Sequence, residues 1–541
     1  MSWEDHSPFC IRRNEIMPKW LKDAVFYEIY PQSFCDSNGD GIGDIPGIIS
    51  KLDYIKELGC NAIWMNPCFD SPFFDAGYDI RDYYKVAPRY GTNQDIANLF
   101  DEVHKRGMHI ILDLVPGHTS IEHPWFKISA SSMKNKYTER YIWTPYRKVK
   151  PQIDQPGENN FNIRGFIIGF GGRPGCCAVN FYSTQPALNY GFARVDDPSW
   201  QLSMDAPGPL ATREALKDIM RFWLEMGCDG FRVDMAGEVI KNDPDQEGNV
   251  RLWKYFRDFL DDEFPNAAMI SEWGYPAYSI RGGFHMDFLL KRGKQHYWEL
   301  FRSDTPYFSR SGQGDVWGFV ENFCKDYEMT DGKGLICTPS GNHDISRIRE
   351  HLDEEEIKIA FAFILSMPGA PFIYYGDEIG MKNLEGLDSV EGSEERTQCR
   401  TPMQWNGKVN AGFSTAGKEK LYAPIDPDYN RPTVEGQMKK TDSLWYEIQK
   451  LISLRKAHPA LQSNPSIRFL YAKKEKYPFI YLRECESEKV LIVLNPKNEE
   501  VNCEIAEKMI IKSVIYSNHG EAKINGNKIV VPAASASFFE V

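Results

Sequence analysis

The sequence predicts an α/β fold: a (β/α)8 TIM barrel with an inserted domain after strand three and a C-terminal antiparallel β-sandwich. Three observations support this prediction. Short apolar runs alternate with amphipathic helices until eight strands are counted, the alternation stops once between residues 117 and 190, and short strands without helices follow from about Pro465. Eight such alternations are typical of a closed barrel. A doubly wound sheet is the alternative, but no GxGxxG motif follows the first strand.

The first three strands alternate with helices of clear amphipathic spacing. AVFYEIY, NAIWMNP and HIILDLVP are the predicted strands, at residues 24–30, 61–67 and 109–116. Between them lie two predicted helices with apolar residues at helical spacing, each ending in a glycine: IPGIISKLDYIKELG and NQDIANLFDEVHKRG. The next stretch, 117–190, is rich in Gly, Pro, Asn and aromatic residues. It is too long for an ordinary loop and is expected to be an inserted domain.

Alternation then resumes for five more strands. DGFRVDMA, AAMISEW, FHMDFLL, GLICTPSGNHD and PFIYYGDEI are the predicted strands, and DSLWYEIQKLISLRKAH is a long closing helix. FIYLREC, KVLIVLN, KSVIYSN and KIVVPAASASFFEV follow as sandwich strands, with a hairpin signal at INGNK. The expected domains are a catalytic barrel (1–116 and 191–464), an inserted domain (117–190) and a C-terminal sandwich (465–541).

Composition limits the partners of the chain. The 541 residues carry a net charge of −13 and 13% aromatic residues. No basic patch is evident, so we expect no nucleic acid and no membrane partner. No apolar run reaches the length of a membrane helix, the first residues do not resemble a signal peptide, and 12 Cys are too sparse for a disulfide scaffold. We expect a cytoplasmic protein that is a monomer or a weak homo-oligomer.

Charged and polar residues follow most of the predicted strands. In such barrels the chemistry lies at the C-terminal ends of the strands. The residues at those ends are Tyr78, Asp79, Asp113, His118, Arg232, Asp234, Glu272, His343, Asp344 and, beyond strand eight, Arg400. Structural ion pairs would explain one of them, but three carboxylates from strands four, five and seven would raise each other's pKa. Two carboxyl groups that flank a bond are what glycoside hydrolysis requires.

These residues also carry a resemblance to a known family. GFRVD, SEW, NHD and the D-x-x-x-x-H pattern of DLVPGH resemble the four sequence regions of the α-amylase family, glycoside hydrolase family 13. AGYDIRDYY, GAPFIYYGDEIGM, CRTPMQW and LISLRKAHPAL resemble its exo-acting α-glucosidase branch, which includes oligo-1,6-glucosidase, trehalose synthase and sucrose isomerase. The resemblance extends from about Leu21 to the C-terminus.

The resemblance implies roles for the carboxylates. Asp234 would be the nucleophile, and Arg232 would hold its carboxylate ionised. Glu272 would be the general acid and then the general base. Asp344 would bind sugar hydroxyls and favour the distorted ring.

The resemblance also implies a set of substrate-binding residues. His118 and His343 would bond to the same sugar, and Tyr78 would offer its ring face to it. Asp79 and Arg400 would meet as a pair that closes the pocket behind the terminal glucose. A plain surface ion pair is the alternative for these two residues, and it would contribute at most ~1 kcal/mol.

The loop after strand one, CDSNGDGIGDIPG, is expected to bind one structural Ca2+ or Mg2+. Alternate oxygen-bearing side chains around a glycine turn suit a hard cation, although the same residues are ordinary turn formers. By resemblance the ligands would be Asp36, Asn38, Asp40, the carbonyl of Ile42, and Asp44. We expect no organic cofactor.

Three positions depart from the family pattern. Gly117 stands where the family usually has Asn before the histidine, which argues against a second calcium. QPALN has Ala187 where the oligo-1,6-glucosidase subfamily has Asp. Met235 follows the expected nucleophile, where relatives have Val, Ala or Thr. The preferred linkage and the balance between hydrolysis and glucosyl transfer therefore stay open.

The sequence predicts a retaining exo-acting α-glucosidase that releases glucose from the non-reducing end of short α-glucosides. A transglucosylase or disaccharide isomerase of the same fold, of the trehalose synthase or sucrose isomerase type, is the alternative. A non-enzymatic interaction protein, like the barrel ectodomains of amino-acid transporter heavy chains, is a remote third. Those ectodomains have lost catalytic carboxylates, whereas this chain keeps all three.

Overall fold

The computed structural model describes residues 17–145, 162–168, 170–289 and 294–541. The first 16 residues, part of the expected inserted domain and the last residue of the sixth predicted strand lie outside the described residues. Eight parallel strands close into a barrel in chain order, and the last pairs with the first. The strands are Phe26–Ile29, Ala62–Met65, His109–Leu114, Gly230–Val233, Ala268–Ser271, Met286–Phe288, Leu335–Pro339 and Pro371–Tyr374. The predicted α/β barrel is confirmed.

Successive side chains along each barrel strand point in opposite directions and belong to two separate apolar cores. One set of side chains fills the barrel interior, where Phe26 stacks on Phe372 with ring centroids 4.2 Å apart. The neighbouring residues, such as Tyr27 and Ile63, face outward into a larger cluster shared with the helices. Because both faces of each strand are buried, the strands have continuous apolar runs. This packing makes the barrel a rigid base for the side chains at its rim.

Helices cover the outside of the barrel. The stretch predicted as one helix after strand one is two, and the other predicted helices lie within a few residues of their expected places. The α-helices of the barrel region are Ile45–Ile49, Leu52–Leu58, Asn93–Lys105, Pro207–Met226, Glu247–Glu263, Pro276–Arg281, Glu299–Arg302, Trp317–Met329, Glu354–Ser366, Val434–Met438 and Leu444–Ala457, and the inserted segment has the short helix Pro124–Ser129.

The segment inserted after strand three carries its own small antiparallel sheet. Its strands, in spatial order, are Trp143–Thr144, Cys176–Val179 and Gly165–Ile168. A bridge between His118 and Ala187 ties the end of this segment to the chain that leaves strand three. The inserted segment therefore lies next to the C-terminal rim of the barrel.

The C-terminal region forms two antiparallel sheets. A five-stranded sheet has the spatial order Ser466–Tyr471, Phe479–Glu484, Lys489–Asn495, Ser535–Glu540 and Ser513–Asn518, and a second sheet pairs Val501–Met509 with Lys523–Val531. The hairpin predicted at INGNK is wrong, because this stretch lies inside the long strand Lys523–Val531. Gly526 there has φ +64° and is paired with Met509 beside an irregularity in the register. The extra residues of this irregularity lie on the partner strand, between Glu504 and Met509, so the Asn-Gly pair lies opposite a bulge and forms no turn.

One face of the five-stranded sheet packs on the barrel. Phe479 and Tyr481 belong to the same apolar cluster as the barrel helices, whereas Ile480 and Leu482 pack against the second sheet. The Tyr481 hydroxyl lies 2.5 Å from the Ser366 hydroxyl at the end of helix Glu354–Ser366. Within the described ranges no helix is long and apolar enough to cross a membrane.

Candidate active site

Arg232 connects the carboxylates of three barrel strands. It lies on strand Gly230–Val233, and its side chain is only 2% exposed. Its Nη1 donates to Asp113 Oδ1 at 2.6 Å and to Asp234 Oδ1 at 3.2 Å, while its Nη2 lies 2.9 Å from Glu272 Oε2. Asp234 and Glu272 directly follow adjacent parallel strands, so the fold brings both to one guanidinium. The structure thus places the expected nucleophile and acid/base residue side by side.

The shared guanidinium does not cancel all the negative charge around it. Burial raises the pKa of Asp234, the charge of Glu272 raises it further, and Arg232 opposes both. Burial also raises the pKa of Asp113 to about 6, again against Arg232. Buried carboxylates this close titrate as a coupled set. Arg232 therefore opposes, but does not outweigh, the burial and the neighbouring carboxylates that raise the pKa of Asp234.

Met235 joins the two carboxylates through its backbone. It follows Asp234 directly and has left-handed backbone angles, φ 45° and ψ 41°. This conformation is unusual for a residue other than glycine or asparagine. It directs the Met235 N–H to Glu272 Oε2 at 3.0 Å. The residue after the expected nucleophile thus helps to hold the expected acid.

Asp344 lies between two arginines. Its Oδ1 accepts from Arg396 Nη1 at 2.8 Å and from Arg400 Nη2 at 2.9 Å. Burial alone would raise the pKa of Asp344, but His343 and the two arginines outweigh it and lower this pKa well below its usual range. Since burial also lowers the pKa of His343, the arginines are the cations that hold Asp344 ionised. Asp344 is therefore a fixed negative charge at the rim.

His343 and Tyr78 stack on each other beside these carboxylates. Tyr78 stacks on His343, with ring centroids 5.5 Å apart and an interplanar angle of 12°. The Tyr78 hydroxyl lies 2.6 Å from His343 Nε2 and donates to Asp113 Oδ2 at 3.1 Å. His343 Nδ1 lies 2.8 Å from Glu28 Oε1 at the first barrel strand. Protein groups therefore fix both rings in position.

His118 lies at the junction of the barrel and the inserted segment. It is 1% exposed, and burial lowers its pKa to about 3, so the ring is neutral near pH 7. Its Nε2 is 3.1 Å from the Tyr78 carbonyl oxygen, and its Nδ1 is 3.1 Å from Asn180 Nδ2. His118 thus lies beside the Tyr78 backbone, and its contact with a sugar stays a prediction.

The pairing of Asp79 with Arg400 is wrong. Among the described residues, Asp79 has no ion pair with Arg400; it accepts from the N–H groups of Phe74 and Asp75 and from the Ser71 hydroxyl, each at 3.0 Å. Burial raises the pKa of Asp79 to about 6. These donors come from the loop that precedes Asp79, so its carboxylate turns back into that loop. Asp79 supports the loop and does not close the pocket.

Asp75 and Arg396 occupy the place expected for that pair, and sequence reasoning missed both. Arg396 Nη2 lies 3.3 Å from Asp75 Oδ1 and 3.3 Å from the Tyr182 hydroxyl, while Asp75 Oδ2 accepts from Gln185 Nε2 at 2.7 Å. The available signals were an aspartate three residues before Tyr78 and an arginine four residues before Arg400. Four side chains, Asp75, Arg396, Asp344 and Arg400, therefore form a charged cluster at one end of the pocket.

The loop after strand one has the chemistry for a hard cation but bonds to itself. Asp36 Oδ1 accepts from Gly39 N at 2.7 Å, Asn38 Oδ1 from Asp40 N at 2.9 Å, and Asp40 Oδ1 from Ile42 N at 2.9 Å. Asp44 caps the following helix through Gly47 N at 2.6 Å. Over the described ranges, no three His, Cys, Asp or Glu side chains are arranged to hold a metal ion. The oxygen donors fit such an ion by type, and the cation stays a prediction.

Comparison with known proteins places this chain in a family. The model of the alpha-amylase catalytic domain matches residues 28–277 and 312–464. The chain is 30% identical to the oligo-1,6-glucosidase of Bacillus cereus over 576 residues, covering 94% of this chain and 96% of that protein. It is 32% identical to the trehalose synthase/amylase TreS of Mycolicibacterium smegmatis over 510 residues, covering 83% and 79%.

Solved structures of similar proteins match nearly the whole chain in fold. Trehalulose synthase MutB from Pseudomonas mesoacidophila MX-45 matches with a TM-score of 0.79 and 27% identity, covering 96% of this chain and 99% of that one. An isomaltulose synthase mutant from Erwinia rhapontici NX5 in complex with sucrose matches with a TM-score of 0.79 and 28% identity, covering 97% and 99%. The barrel with its rim of carboxylates is a glycoside hydrolase or transglycosylase. The chain belongs to the alpha-amylase family.

Proposed function

We propose that the protein is a retaining, exo-acting α-glucosidase that releases glucose from the non-reducing end of short α-glucosides. The arrangement around Arg232 is the observation that carries this proposal. One guanidinium contacts both Asp234 and Glu272. Two carboxyl groups on adjacent strands within reach of one guanidinium suit the ~5 to 5.5 Å separation of a retaining enzyme better than the wider gap of an inverting one.

The proposed first step forms a glucosyl-enzyme. A carboxylate oxygen of Asp234 attacks the anomeric carbon, the glycosidic C–O bond breaks, and the proton on Glu272 passes to the leaving oxygen. In the second step Glu272 takes a proton from water, the water oxygen bonds to the anomeric carbon, and the ester bond to Asp234 breaks. During these steps the negative charge moves between Asp234 and Glu272, and Arg232 balances it throughout because the guanidinium contacts both carboxylates.

The cluster of Asp75, Arg396, Asp344 and Arg400 supports exo attack. Its contacts cross-link the loop after strand two to the segments after strands seven and eight. Asp344 is ionised and partly exposed, so it can accept hydrogen bonds from sugar hydroxyls at the closed end. We infer that this cluster binds the terminal glucose and blocks a longer chain from passing through. His118, His343 and Tyr78 would contact the same sugar.

A transglucosylase or isomerase is the second candidate, because relatives and solved neighbours include proteins named trehalose synthase and isomaltulose synthase. The two candidates share the glucosyl-enzyme and differ in whether water or a sugar attacks it. Product analysis on maltose, isomaltose, sucrose and trehalose separates them. Free glucose as the main product supports the hydrolase, and a rearranged disaccharide supports the isomerase.

A cytoplasmic location remains part of the proposal.

The stereochemistry of the first product tests the proposal. NMR at early times should detect α-glucose from an α-linked substrate. Asp234→Asn should lower turnover by several orders of magnitude with the melting temperature little changed, because the neutral amide cannot attack the anomeric carbon. Initial release of β-glucose, or near wild-type turnover of the variant, would show that the nucleophile lies elsewhere.

A further inference from the structure

Lys241 is a fully buried lysine close to the active site. It lies seven residues after Asp234 and has no exposed surface. Its Nζ donates to Asn180 Oδ1 at 2.8 Å and to the Glu238 carbonyl oxygen at 2.7 Å, and in the described part of the chain no carboxylate lies within ion-pair distance of it. Burial lowers the pKa of Lys241 to about 7. Burying an amine without a carboxylate partner costs free energy, so the two hydrogen bonds of Lys241 must offset that cost.

The contacts of Lys241 fix the orientation of one amide. A lysine amine bound in this way donates, so the Asn180 atom it meets is the oxygen, and the amide nitrogen must point the other way. That nitrogen lies 3.1 Å from His118 Nδ1 and 3.8 Å from Met235 Sδ. Asn180 therefore donates to His118 Nδ1 and contacts the residue after the expected nucleophile.

This amide in turn fixes the tautomer of His118. Because Nδ1 accepts from Asn180 and the ring is neutral, the single ring proton must be on Nε2. Nε2 lies 3.1 Å from the Tyr78 carbonyl oxygen, which can only accept. Every contact in the series from Lys241 to Tyr78 is thus consistent with one arrangement of donors and acceptors. The single His118 N–H group therefore points to the Tyr78 carbonyl oxygen.

Gly117 provides the space for the amide. A Cβ at residue 117 would lie 2.7 Å from Asn180 Nδ2, closer than real Cβ contacts allow. The family usually has an Asn before this histidine, and here an Asn from the inserted segment lies over the glycine. The Lys241 backbone also bonds to the chain just after the inserted segment: its N–H donates to Gly191 O at 3.1 Å, and its carbonyl oxygen accepts from Ala193 N at 2.9 Å.

We propose that Lys241 and Asn180 are positioning residues that fix His118 as the Nε2–H tautomer, which holds the ring against the Tyr78 carbonyl oxygen in the position from which it would contact the sugar. The proposal rests on the proposed function of His118 as a sugar ligand. Lys241, which follows the expected nucleophile Asp234 by seven residues, and Asn180 of the inserted segment together determine which ring nitrogen of His118 carries the proton. Neither residue is assigned a contact with the reacting atoms.

The tautomer is tested first, without any substrate. 15N NMR of histidine-labelled protein distinguishes a ring nitrogen that carries a proton from one that does not, and the His118→Gln variant assigns the signal. Wild type should have an unprotonated Nδ1 and a protonated Nε2. Asn180→Asp keeps an acceptor for Lys241 but removes the donor to His118, so Nδ1 should become protonated. An Nδ1–H signal in wild type would overturn the proposal even if the enzyme is an α-glucosidase.

Kinetics then test the positioning role. Lys241→Met removes both donated hydrogen bonds and should lower kcat/KM on an aryl α-glucoside by about 10- to 100-fold, mainly through KM. Lys254→Met is the matched control on an exposed lysine and should have no effect. Gly117→Ala should act in the same direction, whereas Gly165→Ala, where a Cβ meets nothing within 4 Å, should not.

The two readouts separate the possible failures. An unchanged His118 signal and unchanged kinetics in Lys241→Met would refute the positioning role. If Lys241→Met does not fold, Asn180→Asp and Gly117→Ala carry the same test at sites that leave the lysine in place. If no variant or wild type cleaves an α-glucoside, the proposed function fails, while the tautomer experiment still decides whether this contact series holds.

Discussion

Replacing Arg400 by lysine tests the charged end of the pocket most directly. Arg400 is fully buried, and its three nitrogens have separate tasks. Nε donates to the His343 carbonyl oxygen at 2.7 Å, Nη1 to the Ser393 hydroxyl at 2.9 Å, and Nη2 to Asp344 Oδ1 at 2.9 Å. A lysine ammonium can keep the contact with Asp344 but cannot reach all three partners, because it lacks the planar fork of a guanidinium.

The expected magnitude follows from the hydrogen bonds lost. Two bonds from a charged donor disappear, at about 1.5 kcal/mol each, for a total of about 3 kcal/mol. If all of this is lost from the transition state, kcat/KM on an aryl α-glucoside falls about 100-fold, since 1.36 kcal/mol corresponds to a factor of ten. If part of this free energy is lost from the free enzyme and not from the transition state, that part lowers the melting temperature instead. Both kcat/KM and the melting temperature must therefore be measured.

Arg396→Lys is the matched control for this prediction. Arg396 contacts the same Asp344 oxygen, but its side chain is 22% exposed and its contacts with Asp75 and Tyr182 are longer, at 3.3 Å. Water can replace such contacts, so we expect a loss of only a few-fold. A kcat/KM within about threefold of wild type for Arg400→Lys, with an unchanged melting temperature, would refute the reasoning. So would a larger loss in Arg396→Lys.

Three further predictions follow from other contacts. Asp75→Ala should open the closed end, so that internal cleavage of a blocked maltoheptaoside rises relative to glucose release; an unchanged ratio would place the barrier elsewhere. If the loop after strand one binds a cation, a chelator should lower the melting temperature, added Ca2+ or Mg2+ should restore it, and Asp40→Ala should abolish the response; no shift in wild type would favour the bare turn. Burial raises the pKa of Glu378 to about 7, above its unfolded value, so the contribution of Glu378 to stability is lost as the pH rises toward and through about 7. Glu378→Gln removes this titration, and its melting temperature relative to wild type should rise between about pH 5 and pH 8; a constant difference would contradict this.

The barrel was predictable because periodicity and strand order follow from local sequence. Strands buried on both faces have unbroken apolar runs, and glycine stops end several helices, so the eight alternations could be counted directly. The carboxylates at the rim followed from the same count. The INGNK hairpin was not predictable, because an Asn-Gly pair can lie opposite a bulge as well as in a turn, and only the partner strand decides between them.

The charged cluster of Asp75, Arg396, Asp344 and Arg400 was only half predictable. Arg400 was identified, but its partner was taken to be Asp79, when the structure gives it Asp344. Asp75 and Asp79 both flank Tyr78, and sequence alone does not tell which carboxylate finds backbone N–H donors in its own loop. The chain from Lys241 to His118 was also missed, since its members come from three separate stretches that meet only through the inserted segment.

The packing of the C-terminal sheet on the barrel makes the two regions one unit. Alternate residues of strand Phe479–Glu484 face opposite ways: Phe479 and Tyr481 complete the barrel's outer core, and Ile480 and Leu482 form the sandwich core. Arg483 extends the junction with a hydrogen bond to the Gln462 carbonyl oxygen at 2.7 Å. A truncation at about residue 465 would therefore uncover an apolar face on helix Glu354–Ser366. The boundary that is plain in the sequence is thus not a place where the protein can be cut.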